Sequence, residues 1–548
     1  MIDKFIFFSP LTELMISVYV LGWGLLISEI FYEKKDIKKN LSEISIFGFC
    51  LILPIVQLFN LFFPISNIFF YISFVFSFAI IIKFKNIINK ELISWLVKLA
   101  LIFIILIPIK YTIKGNEDLY YHLPKIELLN NSKIIFGIAH YDPSLSFTNG
   151  WAYISSIFNF FNGSIKNLYL SSFVFFILSI MTLYNYLKIS NYNNLKIFLL
   201  ILISFLIIKF YRIQEFGNDY HAIILLLISQ FLIFKFYLSK KNDTFLLNKI
   251  LFYSFFAIMF RIYSLFIIPV LFILLLKNVK IKYLINKKLL VLFFITFSMT
   301  TVTSFINSGC FFMPVKSTCV NNQLVSWSYF DKIDDLNLRL KSFNTNYFSY
   351  KKEVEFPVSE KEWVKNFNWF SYHIQSERFL LPLIKTFILI NLFFVVSLIL
   401  FNNKNLHSRT LILKDYLFIL LTLSSFILWL VYTPLLRAGG YSYWPFLILS
   451  VLLFKFDFKE IINFKKIKIF LAIIISISVL LNFNRIYKEG FKYSSFSPFF
   501  FTQWGKFHHT KYQEKEILID LLAKKKEIKN FDLNFKLKSS HNYWFITQ

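Results

Sequence analysis

Residues 250–277 read ILFYSFFAIMFRIYSLFIIPVLFILLLK, an apolar run broken only by Arg261 and Pro269. As one helix, residues 250–276 would be about 40 Å long, more than a hydrocarbon core of roughly 30 Å requires. A single crossing would also carry Lys277, Lys280, Lys282, Lys287 and Lys288, with no acid among them, to the face opposite Lys235, Lys240, Lys241 and Lys249. That breaks the rule that short cytoplasmic loops collect lysine and arginine. Two short limbs that enter the bilayer and return keep all these lysines inside. The expectation is therefore a re-entrant pair of half-helices with Arg261 near the bend.

Outward from this stretch, apolar runs recur near residues 11–31, 43–63, 67–82, 92–112, 167–187, 195–211 and 220–238, and again near 286–306, 380–401, 415–433, 439–456 and 467–485. Hydrophobic residues make up 57% of the 548 positions and mean hydropathy is +0.60, against roughly 45–50% in soluble domains. Runs of this length cross as helices. The expected class is all-α, a polytopic transmembrane helical bundle of about 12–14 membrane segments with an exterior loop and a C-terminal cap. The net charge of +28 sits in short segments between apolar runs, so it reads as contact with anionic headgroups, not with nucleic acid.

Lys34, Lys35, Lys38 and Lys39 mark the first loop as inside, and Lys83, Lys85 and Lys90 the third. Alternation then puts 113–166, 212–219, 307–378, 434–440 and the tail from about 487 outside. The divisions are 1–91, N-terminal transmembrane helices; 92–306, a transmembrane core with the loop 113–166; 307–378, an exterior loop; 379–486, C-terminal helices; and 487–548, an exterior tail. Glu29 and Glu33 stand where a small-residue cleavage site would be, so the first span reads as uncleaved. Cys310 and Cys319 share an exterior loop, where a disulfide can form.

The densest polar cluster is Gly115-Asn116-Glu117-Asp118-Leu119-Tyr120-Tyr121-His122-Leu123-Pro124. A carboxylate half desolvated at a bilayer surface can act as a general base, or can hold a divalent cation. The bland alternative is a helix cap. Arg212, Glu215, Asn218, Asp219 and His221 fall on the same face and could share one cavity with it. Arg261, costly at a helix centre by at least about 2.5–3.5 kcal/mol unless paired or hydrated, should face a cavity, an anion or a buried acid. Arg437, in Pro434-Leu-Leu-Arg437-Ala-Gly-Gly440, sits at an exterior helix end where a guanidinium can fork onto phosphate or merely snorkel to headgroups. His140 and Asp142 show no metal spacing, and zinc, nucleotide and serine-hydrolase patterns are missing from the sequence.

An acidic pair in a large exterior loop, a second acid two crossings later and Pro434-x-x-Arg437 together resemble the GT-C superfamily of glycosyltransferases. Three extra spans precede the acidic pair, where that superfamily has one helix. The same pair, with Phe147-Thr-Asn-Gly-Trp151, Ser308-Gly-Cys310-x-x-x-Pro314 and Thr318-Cys319, also looks like an uncharacterised bacterial family of large membrane proteins, over about residues 92–445.

The GT-C resemblance implies an inverting transfer from a polyprenyl-phosphate-linked sugar on the outer face of a bacterial inner membrane, with no nucleotide. Asp118 or Glu117 would be the catalytic base and Arg437, with Arg261, the phosphate clamp. His122, Asp219 and His221 would bind substrate, and Asp219 and His221 could instead bind a metal. A polymerase or ligase of lipid-linked glycans, a transporter or flippase, and a non-catalytic scaffold are the rival readings.

Overall fold

A computed structural model of the chain describes residues 4–106, 122–147, 150–158, 168–190, 192–209, 219–239, 243–277, 286–345, 347, 359–375, 377–400, 407–408, 410–457, 464–492, 536–540 and 543–547. Its principal helices are α1 (Lys4–Leu25), α2 (Leu41–Phe62), α3 (Asn67–Ile105), α4 (Leu123–Asn131), α5 (Gly150–Ile157), α6 (Leu168–Ile189), α7 (Asn193–Ile208), α8 (Asp219–Leu238), α9 (Thr244–Phe260), α10 (Lys287–Ser308), α11 (Ile333–Asn344), α12 (Trp369–Gln375), α13 (Glu377–Leu400), α14 (Leu413–Tyr432), α15 (Tyr441–Lys455) and α16 (Phe464–Lys492). Two short antiparallel pairings accompany them: β1 (His407–Ser408) with β2 (Phe456–Asp457) across α14 and α15, and the hairpin of β3 (Lys536–Ser540) with β4 (Tyr543–Thr547).

Among the described residues seven helices are long and apolar enough to cross a membrane, within α2, α3, α6, α8, α10, α13 and α14. The windows in α3, α10, α13 and α14 are only 28–33% buried, whereas those in α2, α6 and α8 are 78–83% buried. A helix that is apolar all round yet exposed on most of its surface faces lipid, and one that is apolar and covered forms the core. The chain is an all-helical integral membrane bundle with α2, α6 and α8 near its centre.

Close backbone approach holds the first pair. A Cβ on Gly24 would lie 1.8 Å from the Ile44 carbonyl oxygen, and one on Gly48 1.8 Å from that of Val20. In lipid, where apolar burial drives little association, such small-residue contacts are what hold helices together.

Interactions sort the loops into two ends. At the lysine-rich end the Glu43 carboxylate accepts from Lys249 Nζ at 2.9 Å, from the Tyr253 hydroxyl at 2.9 Å and from the Tyr186 hydroxyl. Lys249 also lies 3.7 Å from the centre of the Tyr32 ring. This buried cluster ties the starts of α2 and α9 to the last turn of α6. At the opposite end Ile65 N donates to Leu129 O, Ile134 N to Asn60 O and Gly137 N to Ile306 O. β4 packs there against residues 138–140, so this C-terminal strand lies at the same end as residues 138–140, where alternation of the spans places both.

The stretch 250–277 breaks where expected. Arg261 ends α9 in an extended conformation (φ −151°, ψ 126°), and the chain continues as short 3-10 and α turns from Ile262 to Lys277. Asn286 N then donates to Asn248 Oδ1 at the lysine-rich end, 3.3 Å away, so the chain does return. The expectation of half-depth limbs needs correction. α9 has 17 residues, about 26 Å of helix, and it delivers Arg261 to the level of Asp219, the first residue of α8. The bend is at the far surface and not in mid-bundle.

Residues 67–82 and 92–112 are expected as two spans, and as far as Leu106 the contacts trace a descent and a return. Residues 67–105 form one continuous helix, but not a straight one. Phe70 and Ser73 meet Tyr19, and Ser77 donates to Tyr19 O, so this half descends parallel to α1. Trp95 then donates to Ser42 at the start of α2 and Phe103 meets Phe173 of α6, so the later half climbs back. A straight helix of 39 residues would extend about 58 Å and could not make both sets of contacts. The reversal falls between Ser77 and Trp95, the stretch that carries Lys83, Lys85 and Lys90.

Candidate functional site

The end of the bundle opposite the lysines gathers four separated segments. α8 begins there with Asp219, whose carboxylate stands 2.6 Å from Arg261 Nε, with side chains 27% and 19% exposed. The Tyr263 hydroxyl donates to the Asp219 carbonyl at 2.9 Å. Tyr443 of α15 reaches the carbonyls of Tyr263 and Ser264 at 3.2 and 3.3 Å. Carbonyls that a helix would have satisfied are thus satisfied from a neighbouring element, which lets the chain leave helical geometry inside an apolar wall.

Arg437 lies on the turn Leu436–Gly440, between α14 and α15. Gly439 has φ 100°, and a Cβ there would meet the rings of Tyr263 and Tyr443 at 3.0 Å each. Only glycine takes this conformation at low cost. The Arg437 guanidinium carbon lies 5.6 Å from the centre of the Phe343 ring, on α11, and Arg437 is half-buried.

His122 opens α4, with Pro124 in its first turn where the missing N–H costs nothing. Burial drives the His122 imidazole well below its usual pKa, and the charges of Arg261, Lys125, Arg437 and His221 push the same way. Those four groups must therefore stand close enough to His122 to act on it. Lys125, 5% exposed, donates to the Phe147 carbonyl at 2.7 Å, and burial together with Arg261 lowers its ammonium to about 7. It lines a small, mainly apolar cavity, where Asn60, Ser132, Tyr153 and Asn307 stand among Leu128, Leu129, Ile134, Ile135, Ile138 and Leu145.

Of the residues singled out in the sequence, the structure brings together His122, Asp219, Arg261 and Arg437. His221 is nearby but 1% exposed, stacked on Trp151 with centroids 3.5 Å apart and 16° between planes, so it forms the floor beneath the cluster. Glu117, Asp118, Arg212, Glu215 and Asn218 lie outside the described residues. Cys310 and Cys319 form a disulfide with an S–S distance of 2.07 Å. It stands beside Ala139, Met313, Ile333 and Leu336 in a small apolar cluster over the same end. Among the described residues no three His, Cys, Asp or Glu side chains gather as a metal site.

Sequence reasoning missed Lys125, Tyr263 and Tyr443. Lys125 had a signal, since it follows His122 by three residues on a helix and so shares its face. The two tyrosines had none, because their role lies in pairing carbonyls across elements distant in sequence.

Residues 7–444 match the family model described as Domain of unknown function (DUF8201), which covers well over half the chain. The chain belongs to that family. No curated protein and no solved structure matches it.

Proposed function

We propose that this DUF8201 chain is a membrane glycosyltransferase that moves a sugar from a polyprenyl-phosphate donor to a glycan, lipid or protein acceptor on the outer face of a bacterial inner membrane. The observation that carries this reading is the convergence of Arg261, Arg437, Lys125 and His122 at one end of the bundle, with Asp219 beside Arg261. Basic groups held at a bilayer surface attract a lipid phosphate, and a guanidinium can fork onto two of its oxygens. The Cys310–Cys319 disulfide at the same end supports an oxidising compartment outside the cytoplasm.

In the reaction an acceptor hydroxyl oxygen attacks the anomeric carbon of the donor. The bond from that carbon to the phosphate oxygen breaks, with inversion. Asp118, or Glu117, takes the hydroxyl proton, and the lipid phosphate leaves carrying the bonding electrons. Arg437 and Arg261 stabilise the charge that develops on it. Three residues separate Asp118 from His122, a chain length of at most about 14 Å, which is compatible with a base working beside the basic cluster. His122, Asp219 and His221 then serve the substrate side, Asp219 from the partly exposed edge and the buried His122 and His221 from within. A divalent cation held by the carboxylates would assist the departing phosphate in the same way.

A transporter or flippase is the second reading, because α9 and the following turns form a broken helix pair of the kind transporters use. Arg261 lies at the level of the Asp219 helix start, not in mid-bundle, and that favours surface chemistry over passage. The test is complementation of a glycan phenotype by Asp118→Asn, Asp219→Asn and Arg437→Ala variants that insert normally. Loss of the glycan product is expected. Full activity of the double variant Asp118→Asn, Glu117→Gln would overturn the mechanism.

A further inference from the structure

The loop between α10 and α13 does more than cover the bundle. His373, on α12, is fully buried, and its Nε2 lies 3.1 Å from the carbonyl oxygen of Pro434. A carbonyl can only accept, so the ring nitrogen facing it carries the proton and donates. The imidazole is held from both sides, by Trp369 at 5.6 Å and an 80° angle and by Phe379 at 4.1 Å. Pro434 begins the turn that carries Arg437 and has no N–H of its own to anchor the chain. The next carbonyl, that of Leu435, accepts from Trp429 Nε1 at 3.2 Å. The same loop also touches the arginine itself, since Phe343 of α11 lies under the guanidinium.

Both ends of Pro434-x-x-Arg437 are thus contacted from residues 333–375: the backbone at Pro434 by His373, the side chain at Arg437 by Phe343. The two contacts come from different parts of that loop. Trp363 joins them, for its Nε1 donates to Thr345 just after α11 and its ring stacks at 5.5 Å on Tyr372, next to His373. A helix lying loosely on the bundle would not need this bracing.

We infer that His373 is a positioning residue for Arg437: through its hydrogen bond to Pro434 it pins the arginine turn to residues 333–345 and 359–375, so that the guanidinium is presented in one orientation to an anionic lipid headgroup. The anion half of this inference rests on the proposed transferase reading; the pinning half does not.

The test uses the full chain in lipid nanodiscs, as wild type and as His373→Gln and His373→Phe. Glutamine keeps a side-chain N–H that can reach Pro434, whereas phenylalanine keeps the ring between Trp369 and Phe379 but donates nothing. Hydrogen–deuterium exchange of the 433–440 amides should quicken about tenfold in His373→Phe, the effect expected for one lost buried hydrogen bond, and stay near wild type in His373→Gln. Equal protection in all three proteins overturns the inference. Dodecyl phosphate is the binding probe, titrated well below the melting temperature of each protein. His373→Phe should weaken its binding several-fold and His373→Gln should not. Equal affinity of both variants, with faster exchange in His373→Phe, would show a stabilising contact alone and also overturn the positioning role. Failure of the wild type to bind dodecyl phosphate would tell against the transferase reading instead, and the exchange result would then decide the pinning by itself.

Discussion

Lys125 shows how burial turns a residue's charge into a pH-dependent term. Its folded pKa is about 7, against roughly 10.4 in an unfolded chain. The folded state therefore binds fewer protons between those values, and its stability rises with pH across that window. Below about 7 the contribution is lost and flat. Replacing Lys125 by Met removes the term, so the melting temperature of Lys125→Met relative to wild type should be most favourable near pH 7 and decline steadily towards pH 10. A difference independent of pH would show that the ammonium is not desolvated. Asp219 and Arg261 are a different case, because both side chains retain some exposure. Their attraction is worth about 1 kcal/mol or less, so the pair orients Arg261 more than it stabilises the fold.

At the scale of elements, the buried Glu43–Lys249 contact joins α2 to α9 across 206 residues of sequence. Removing one partner leaves an uncompensated charge, at a cost of about 3 kcal/mol. Glu43→Gln and Lys249→Met should each lower unfolding stability in detergent by about that much, and the double variant by clearly less than the sum; strict additivity would mean the two groups do not act as a pair. Their position also makes the path of the chain testable. Because Asn286 returns to Asn248, a cysteine at Lys280 should react with an impermeant maleimide from the same side as one at Lys34, and from the side opposite Ser326. Labelling of Lys280→Cys from the Ser326 side would refute the returning path.

Across the whole molecule, charge and hydropathy made most of the architecture legible. The unpaired lysines after residue 276 predicted the reversal around Arg261, because their transfer cost depends on sequence alone. The depth of that bend was not legible, since it depends on α9 running alongside α8 and on Tyr443 satisfying carbonyls across the bundle. The reversal between Ser77 and Trp95 was legible for the same reason, since Lys83, Lys85 and Lys90 mark the turn by charge, although the residues around them stay helical. Of the candidate site, Asp219, Arg261 and Arg437 were readable because an ionisable residue beside an apolar run demands a reason, whereas Lys125 was passed over. The aromatic and carbonyl contacts that orient them were not, since any tyrosine in a chain with 30 of them looks alike before the elements meet.

The central claim is chemical, and one measurement reaches it directly. Purified chain in proteoliposomes would be supplied with polyprenyl-phosphate sugars and candidate acceptors, and sugar transfer followed for wild type, Asp118→Asn and Arg437→Ala. The account predicts transfer by wild type without any nucleotide and a loss of at least about a hundredfold in each variant, the scale of a missing general base or of one missing charge-stabilising donor. Wild-type rates from the doubly neutralised Asp118→Asn, Glu117→Gln protein would contradict it.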